Sequence, residues 1–414
     1  MKRLFAGVAK VGTGVAAGQF IVVSTSPILS RLFDPSEFGT YSIIVSISAV
    51  LAVLFSGRLD LAVITAPSDR QARDAAVLGG LYLAMGAAVV SVVLVFAGAA
   101  YWRGEVQDVE YALVPALLLT AGLFEISSSY LVRRRLYGKA AWRSLILNGT
   151  LAGSQVGLGA LNAAGGLSIG YLVSRIAGAA YSARAGGLRI GRDLRGLRLS
   201  GIAVVVKRTA HFPVVVAPAS LLNALGTQAP VLLFGLLLGP AAAGLLGFTQ
   251  RILSAPVSLL GQSLAQVYTA ESASALRDSR DGARSLFLRT SILLAIAALC
   301  LGFSVYLLSP IVVEPLFGGE WVEAGPISQA LSLGVAAQLV ASPLSQTMNV
   351  YGRHRTQLVW DAFRLTAVVT VILVATALGA TVTVTTWALS VASALSYAVL
   401  WILCLRAVVS KPQR

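Results

Sequence analysis

The sequence predicts an all-α integral membrane protein of about twelve transmembrane helices, arranged as two parallel six-helix lobes around a central cavity. Three observations predict the twelve crossings; the sequence echoes and polar stripes described below predict the paired lobes and the cavity. A mean hydropathy of +0.80, with 57% hydrophobic and only 12% charged residues, leaves more apolar surface than a water-soluble fold can hide. Apolar runs near the bilayer-crossing length of roughly 20 residues recur along all 414 positions. The basic residues fall in alternate connections between those runs, as they do when short basic loops are retained on the cytoplasmic side.

Six runs cover 11–30, 38–55, 75–101, 111–132, 144–162 and 167–183. Six more cover 212–238, 244–267, 286–308, 325–350, 357–378 and 383–405. Lys2 and Arg3 ahead of an apolar stretch imitate a secretory signal, but Lys10 interrupts that stretch and the membrane pattern continues, so the first helix reads as uncleaved. The runs divide the chain into an N-lobe (1–184), a basic cytoplasmic linker (185–211) and a C-lobe (212–414).

With the amino end inside, 28 of the 32 Lys and Arg residues fall on inner segments, while the outer loops carry only Arg31 and Arg103 against eight acids. Both termini are then cytoplasmic. The net charge of +15 is thereby explained by topology, and no nucleic-acid partner is expected. Cys300 and Cys404 lie in separate apolar runs and His211 and His354 are far apart, so neither a disulfide nor a metal cluster is indicated. No cofactor or catalytic residue is read.

Two sequence echoes suggest that the lobes are repeats. Pro35-x-x-x-Gly39 returns as Pro240-x-x-x-Gly244, and Tyr137-Gly138-Lys139 returns as Tyr351-Gly352-Arg353, each about half a chain later. An even number of helices separates each pair, which makes the repeats parallel rather than inverted. Between the lobes, Arg189, Arg192, Arg195 and Arg198 recur at three-residue spacing. That linker reads either as an amphipathic segment on anionic headgroups or, preferably, as a plain topology anchor.

Polar residues inside the runs carry the functional signal, because a polar group in hydrocarbon is costly and generally faces a cavity or a partner. Asn148, Gln155 and Asn162 share one face of the fifth helix, and Tyr171 and Arg175 one face of the sixth. Arg251 and Gln262 do so on the eighth, and Gln338 and Asn349 on the tenth. One explanation is helix–helix glue; four striped helices with two mid-membrane arginines favour walls of a wet space. Arg175 and Arg251 are the candidate cavity cations, and Asn148, Gln155, Asn162, Tyr171, Gln262, Gln338 and Asn349 the candidate polar lining. Asp60, Glu125, Asp361 and Arg364 are candidate ion-pair or coupling groups, the last two at helix-face spacing.

Pro27-Ile-Leu-Ser-Arg-Leu-Phe-Asp-Pro-Ser-Glu-Phe-Gly39, then Gly57-Arg58-Leu-Asp60, resembles the start of bacterial polysaccharide and O-antigen flippases of the multidrug/oligosaccharidyl-lipid/polysaccharide exporter superfamily. Tyr130-Leu-Val-Arg-Arg-Arg-Leu-Tyr-Gly-Lys139 resembles their basic loop after helix four. Phe212-Pro213, Pro218 to Asn223, and Gly244 to Pro256 resemble their helices seven and eight. The resemblance implies two six-helix lobes in a V, alternating between two openings in the bacterial inner membrane. The implied cargo is a polyprenyl-diphosphate-linked oligosaccharide, the partners are membrane lipids and other polysaccharide-assembly proteins, and the process served is surface polysaccharide export.

Two rivals remain at this point. A drug or cation antiporter of the same superfamily calls for a more acidic interior than this one. A membrane-embedded glycan polymerase or ligase calls for a large outer loop with catalytic groups, yet the longest outer segment, 309–324, has no histidine and no acid/base constellation.

Overall fold

The computed structural model describes residues 2–101, 110–188, 199–278 and 280–409, and every described secondary-structure element is helical. In chain order the helices are α1 (Lys2–Leu32), α2 (Pro35–Ser56), α3 (Leu59–Thr65), α4 (Asp69–Tyr101), α5 (Val114–Arg133), α6 (Tyr137–Ala160), α7 (Gly166–Gly186) and α8 (Leu199–Thr209). They continue as α9 (Ala217–Leu238), α10 (Pro240–Asp278), α11 (Arg280–Phe317), α12 (Ala324–Leu344), α13 (Gln346–Val350), α14 (His354–Ala377) and α15 (Val382–Val409). A π-turn, Phe212–Val216, leads into α9, and a 3-10 turn, Gly319–Trp321, precedes α12.

Among the described residues, nine helices are both long and apolar enough to cross a membrane. The three further long helices are α6, α7 and α10. They do not fall short in length, at 24, 21 and 39 residues. Their deficit is hydropathy, and they carry three of the four polar stripes. The same residues that mark them as cavity candidates lower their membrane signal.

Contacts divide the chain into two compact units: residues 1–33 with 40–228, and residues 34–39 with 229–414. In the first unit α1 packs along α6, α6 along α7, and α7 on α5, with α3 and α4 closing against α5. Its core gathers Leu59, Val63, Leu83, Leu118 and Tyr130, all fully buried. The basic loop after α5 caps neighbouring helix ends. Arg134 donates to the Gly186 carbonyl at 2.7 Å, Lys139 to the Ala185 carbonyl at 2.9 Å, and Arg133 to the Ala66 carbonyl. Cationic donors suit these sites, because the last carbonyls of a helix have no intrahelical partner and carry the negative end of its dipole. Of the predicted linker, Arg189, Arg192, Arg195 and Arg198 lie outside the described residues. Its end forms α8, where Val205 is buried and Arg208 lies 3.8 Å from Asp74.

In the second unit α12 is central, packing on α10, α11 and α15, while α14 lies along α15. The first sequence echo has a structural meaning here. A Cβ on Gly39 would sit 1.8 Å from the Pro240 carbonyl oxygen, and one on Gly244 would sit 1.7 Å from that of Pro35. Each Pro-x-x-x-Gly segment thus seats its glycine on the first proline of the other, a close crossing that only glycine permits. Phe38, Phe248, Phe317 and Trp321 surround it in edge-on and tilted contacts, with centroids 4.2–5.2 Å apart.

The second echo needs correction. Tyr137 and Gly138 open helix α6, whereas Tyr351 and Gly352 lie in the turn before α14. The hydrogen bonds pair a different set. Arg135 donates to Val132 and Leu136 to Leu131; Gly352 donates to Asn349 and Arg353 to Met348. Arg135 and Gly352 both take positive φ, at 55° and 67°. The true counterparts are therefore 217 residues apart, and on that register α6 and α14 begin together, end together and are both 24 residues long.

Candidate functional site

The first unit concentrates charge around one aromatic ring. Phe124, on α5, is buried, and the guanidinium carbons of Arg143 on α6 and Arg175 on α7 lie 5.4 and 5.0 Å from its centroid. Gly178 makes room, since a Cβ there would come within 2.9 Å of that ring. Arg175 also stands 4.7 Å over the Tyr171 ring and donates to its hydroxyl at 2.6 Å. Tyr171 in turn meets Tyr41 edge-on at 6.0 Å. Stacking on π faces stabilises a guanidinium without consuming its in-plane donors. The Nε of Arg143 and of Arg175 are buried with no hydrogen-bond partner.

Glu125, the residue after Phe124, has an exposed side chain that couples electrostatically to Arg175, Asp60, Arg143 and Arg58. It is in no ion pair among the described residues. Arg58, by contrast, lies 3.4 Å from Asp60, just past the break between α2 and α3 where Gly57 and Arg58 both take positive φ. Burial pushes the Asp60 carboxyl above the ordinary carboxylate range despite the opposing pull of Arg58.

The remaining predicted residues of this unit meet their neighbours in different ways. Asn148 donates to the Ser144 carbonyl at 3.0 Å and abuts Gly18 of α1. Gln155 is fully buried and bridges helices by donating to the Leu167 carbonyl at 3.0 Å. Asn162 is exposed with φ 50°, and its amide reaches back to Gly159 just beyond α6. The equivalent position after α14 is Gly379, φ 72°. Asn162 is thus a helix stop, one of the few non-glycine residues that tolerate the left-handed conformation.

In the second unit the charges are closed in. Asp361 and Arg364, one turn apart on α14 and both buried, stand 3.9 Å apart. Gln357 donates to Asp361 at 3.5 Å, Arg364 donates to the Tyr397 hydroxyl at 3.3 Å, and its guanidinium lies 5.0 Å over Trp360. Asn349 is exposed and donates to Gln346 at 3.0 Å. Gln338 is half-buried on α12, and Arg251 half-buried on α10. The side chain of Gln262 lies outside the described residues.

Residues 28–326, nearly three-quarters of the chain, match the model of the family described as polysaccharide biosynthesis protein. The chain belongs to that family. No curated protein matches it in sequence. Among solved structures, family likeness gives way to fold likeness. The lipid II flippase MurJ in an inward closed conformation aligns with TM-score 0.65 at 14% identity, over 96% of this chain and 86% of that one. An inward-facing multidrug resistance MATE transporter of the MOP superfamily aligns with TM-score 0.62 at 12% identity, over 97% and 94%. A point mutant of the Vibrio cholerae MATE transporter VcmN gives 0.60 at 12% identity, over 99% and 97%. This family member therefore has the membrane-transporter fold those proteins share.

The cluster around Phe124 contains a residue that sequence reading misses. The sequence places Arg143 among the inner-loop bases because the apolar run begins at Ser144, yet α6 starts at Tyr137 and carries Arg143 well into the helix. Arg364, by contrast, falls inside the predicted run 357–378 and lies within its helix, α14. The signal is present in the basic loop: a helix restarting right after Arg133–Arg135 places Arg143 two turns inside.

Proposed function

We propose that this chain is a flippase that moves a polyprenyl-diphosphate-linked oligosaccharide repeat from the cytoplasmic to the outer leaflet of a bacterial inner membrane by alternating access, for surface polysaccharide export. The observation that carries the reading is the pair Arg143 and Arg175, brought from α6 and α7 onto one buried ring of α5. Guanidinium forks match phosphate oxygens, and two of them suit a diphosphate. The exposed Glu125 beside them supports a water-filled wall, since a carboxylate facing lipid is expensive. Membership in a polysaccharide biosynthesis family and the fold shared with a lipid II flippase point to the same cargo chemistry.

On this reading the lobes are 1–184 and 212–414, joined by the basic linker, with both termini cytoplasmic and the lipid tail left in the bilayer. Membrane lipids and other polysaccharide-assembly proteins are its partners. Arg251, from the second lobe, is a further cation for the cargo. An inside-negative potential favours outward movement of an anion by about 2.3 kcal/mol per charge per 100 mV, so the field itself biases the direction. A cluster with three arginines and two acids is poorly suited to the cationic ligands of a drug antiporter.

The test is transport in vesicles reconstituted with a lipid-linked diphosphate glycan. Arg143→Ala and Arg175→Ala should each lower outward movement at least tenfold at equal protein level. Wild-type rates in both variants would overturn the reading.

A further inference from the structure

Resting on that reading, we propose that Glu125 is the resident counter-anion of the Arg143–Arg175 pair, and that the cargo's diphosphate binds by displacing it. The argument is one of charge. Arg58 and Asp60 neutralise each other at 3.4 Å, which leaves Arg143 and Arg175, among the described residues, against the carboxylate of Glu125. Two guanidiniums on one ring repel each other, and the carboxylate next in sequence to that ring relieves the repulsion while the site is empty.

Glu125 does so loosely. It couples to both arginines through space, yet closes no ion pair among the described residues and keeps an exposed side chain. The Tyr171 hydroxyl holds Arg175 from the side, so the guanidinium stays in place when the carboxylate swings away. A tight Glu–Arg pair would have to be broken for cargo to enter; a carboxylate held at a distance is exchanged for a stronger anion at little cost. Its return would then help expel the diphosphate on the far side. Glu125 is thus a residue that sets release and anion selectivity, acting through the two arginines that hold the cargo.

The experiment measures inorganic pyrophosphate binding to the purified full-length chain in nanodiscs, together with vesicle transport. Glu125→Gln should bind pyrophosphate about tenfold more tightly, the order expected for removing one like charge from a site of intermediate dielectric. Its transport rate at saturating cargo should fall. Glu125→Asp, which keeps the charge, should stay near wild type in both. Structural damage would weaken binding, so tighter binding is a readout that misfolding does not produce. Unchanged or weaker pyrophosphate affinity in Glu125→Gln, alongside normal Glu125→Asp, would overturn the proposal. The two readings fail separately. If Arg175→Ala binds pyrophosphate as well as wild type, the diphosphate reading itself fails; if Arg175→Ala weakens binding and Glu125→Gln leaves it unchanged, only the counter-anion role is lost.

Discussion

Two charged clusters sit in the membrane-crossing helices of this chain, and they are built in opposite ways. On α14, Asp361 and Arg364 are buried together, and Gln357, Tyr397 and Trp360 occupy the sides of the pair. On α5, α6 and α7, Glu125 is exposed, and Arg143 and Arg175 hold to one ring. Both clusters hold polar atoms without a hydrogen-bond partner, among them Asp361 Oδ1 and Gln357 Oε1 in the first, so what separates them is access: Asp361 and Arg364 are buried, whereas Glu125 is exposed. Charge inside a membrane protein is therefore a poor guide to function until its exposure is known.

Mutations should separate the two. The largest effect is expected from Asp361→Ala, which strands a buried guanidinium and should cost about 3–5 kcal/mol, read as loss of folded protein in detergent melts. Replacing both Asp361 and Arg364 with leucine should recover most of that loss, because a buried pair contributes little over well-packed apolar groups. Gln155→Leu comes next. It frees the buried Leu167 carbonyl from its bond and should cost about 1–3 kcal/mol while leaving the transport rate per folded molecule intact. Arg143→Ala should reverse that signature, costing only about 0.5–1 kcal/mol of lost ring stacking while transport falls at least tenfold. The smallest change is expected from Asn349→Ala, whose exposed bond to Gln346 should be worth under about 0.5 kcal/mol. A variant that loses stability at the open cluster, or transport alone at the closed one, would break the comparison.

Much of this was legible in the sequence. The long helices, the polar stripes and the Pro-x-x-x-Gly echo depend on composition and local spacing, and their physical causes act within a helix or a turn. The fate of each stripe residue was not legible, because it depends on what the next helix presents. Gln155 finds a carbonyl on α7, Asn148 a glycine on α1, and Asn162 a backbone angle, so three residues in heptad register meet three different surroundings. Arg143 was hidden differently: hydropathy starts a span at its first apolar residue, whereas the helix starts where its backbone does, several residues earlier. The Tyr-Gly echo misled for a related reason, since identical letters fell on a helix start in one half and a left-handed turn in the other.

The central claim is that the open cluster holds a diphosphate and the closed one does not. Its most direct test is calorimetric binding of pyrophosphate to two double variants in nanodiscs, Arg143→Ala with Arg175→Ala and Asp361→Leu with Arg364→Leu. The account predicts that the first loses binding by at least about a hundredfold and the second binds as wild type does. Retained affinity in the first, or equal loss in both, would contradict it.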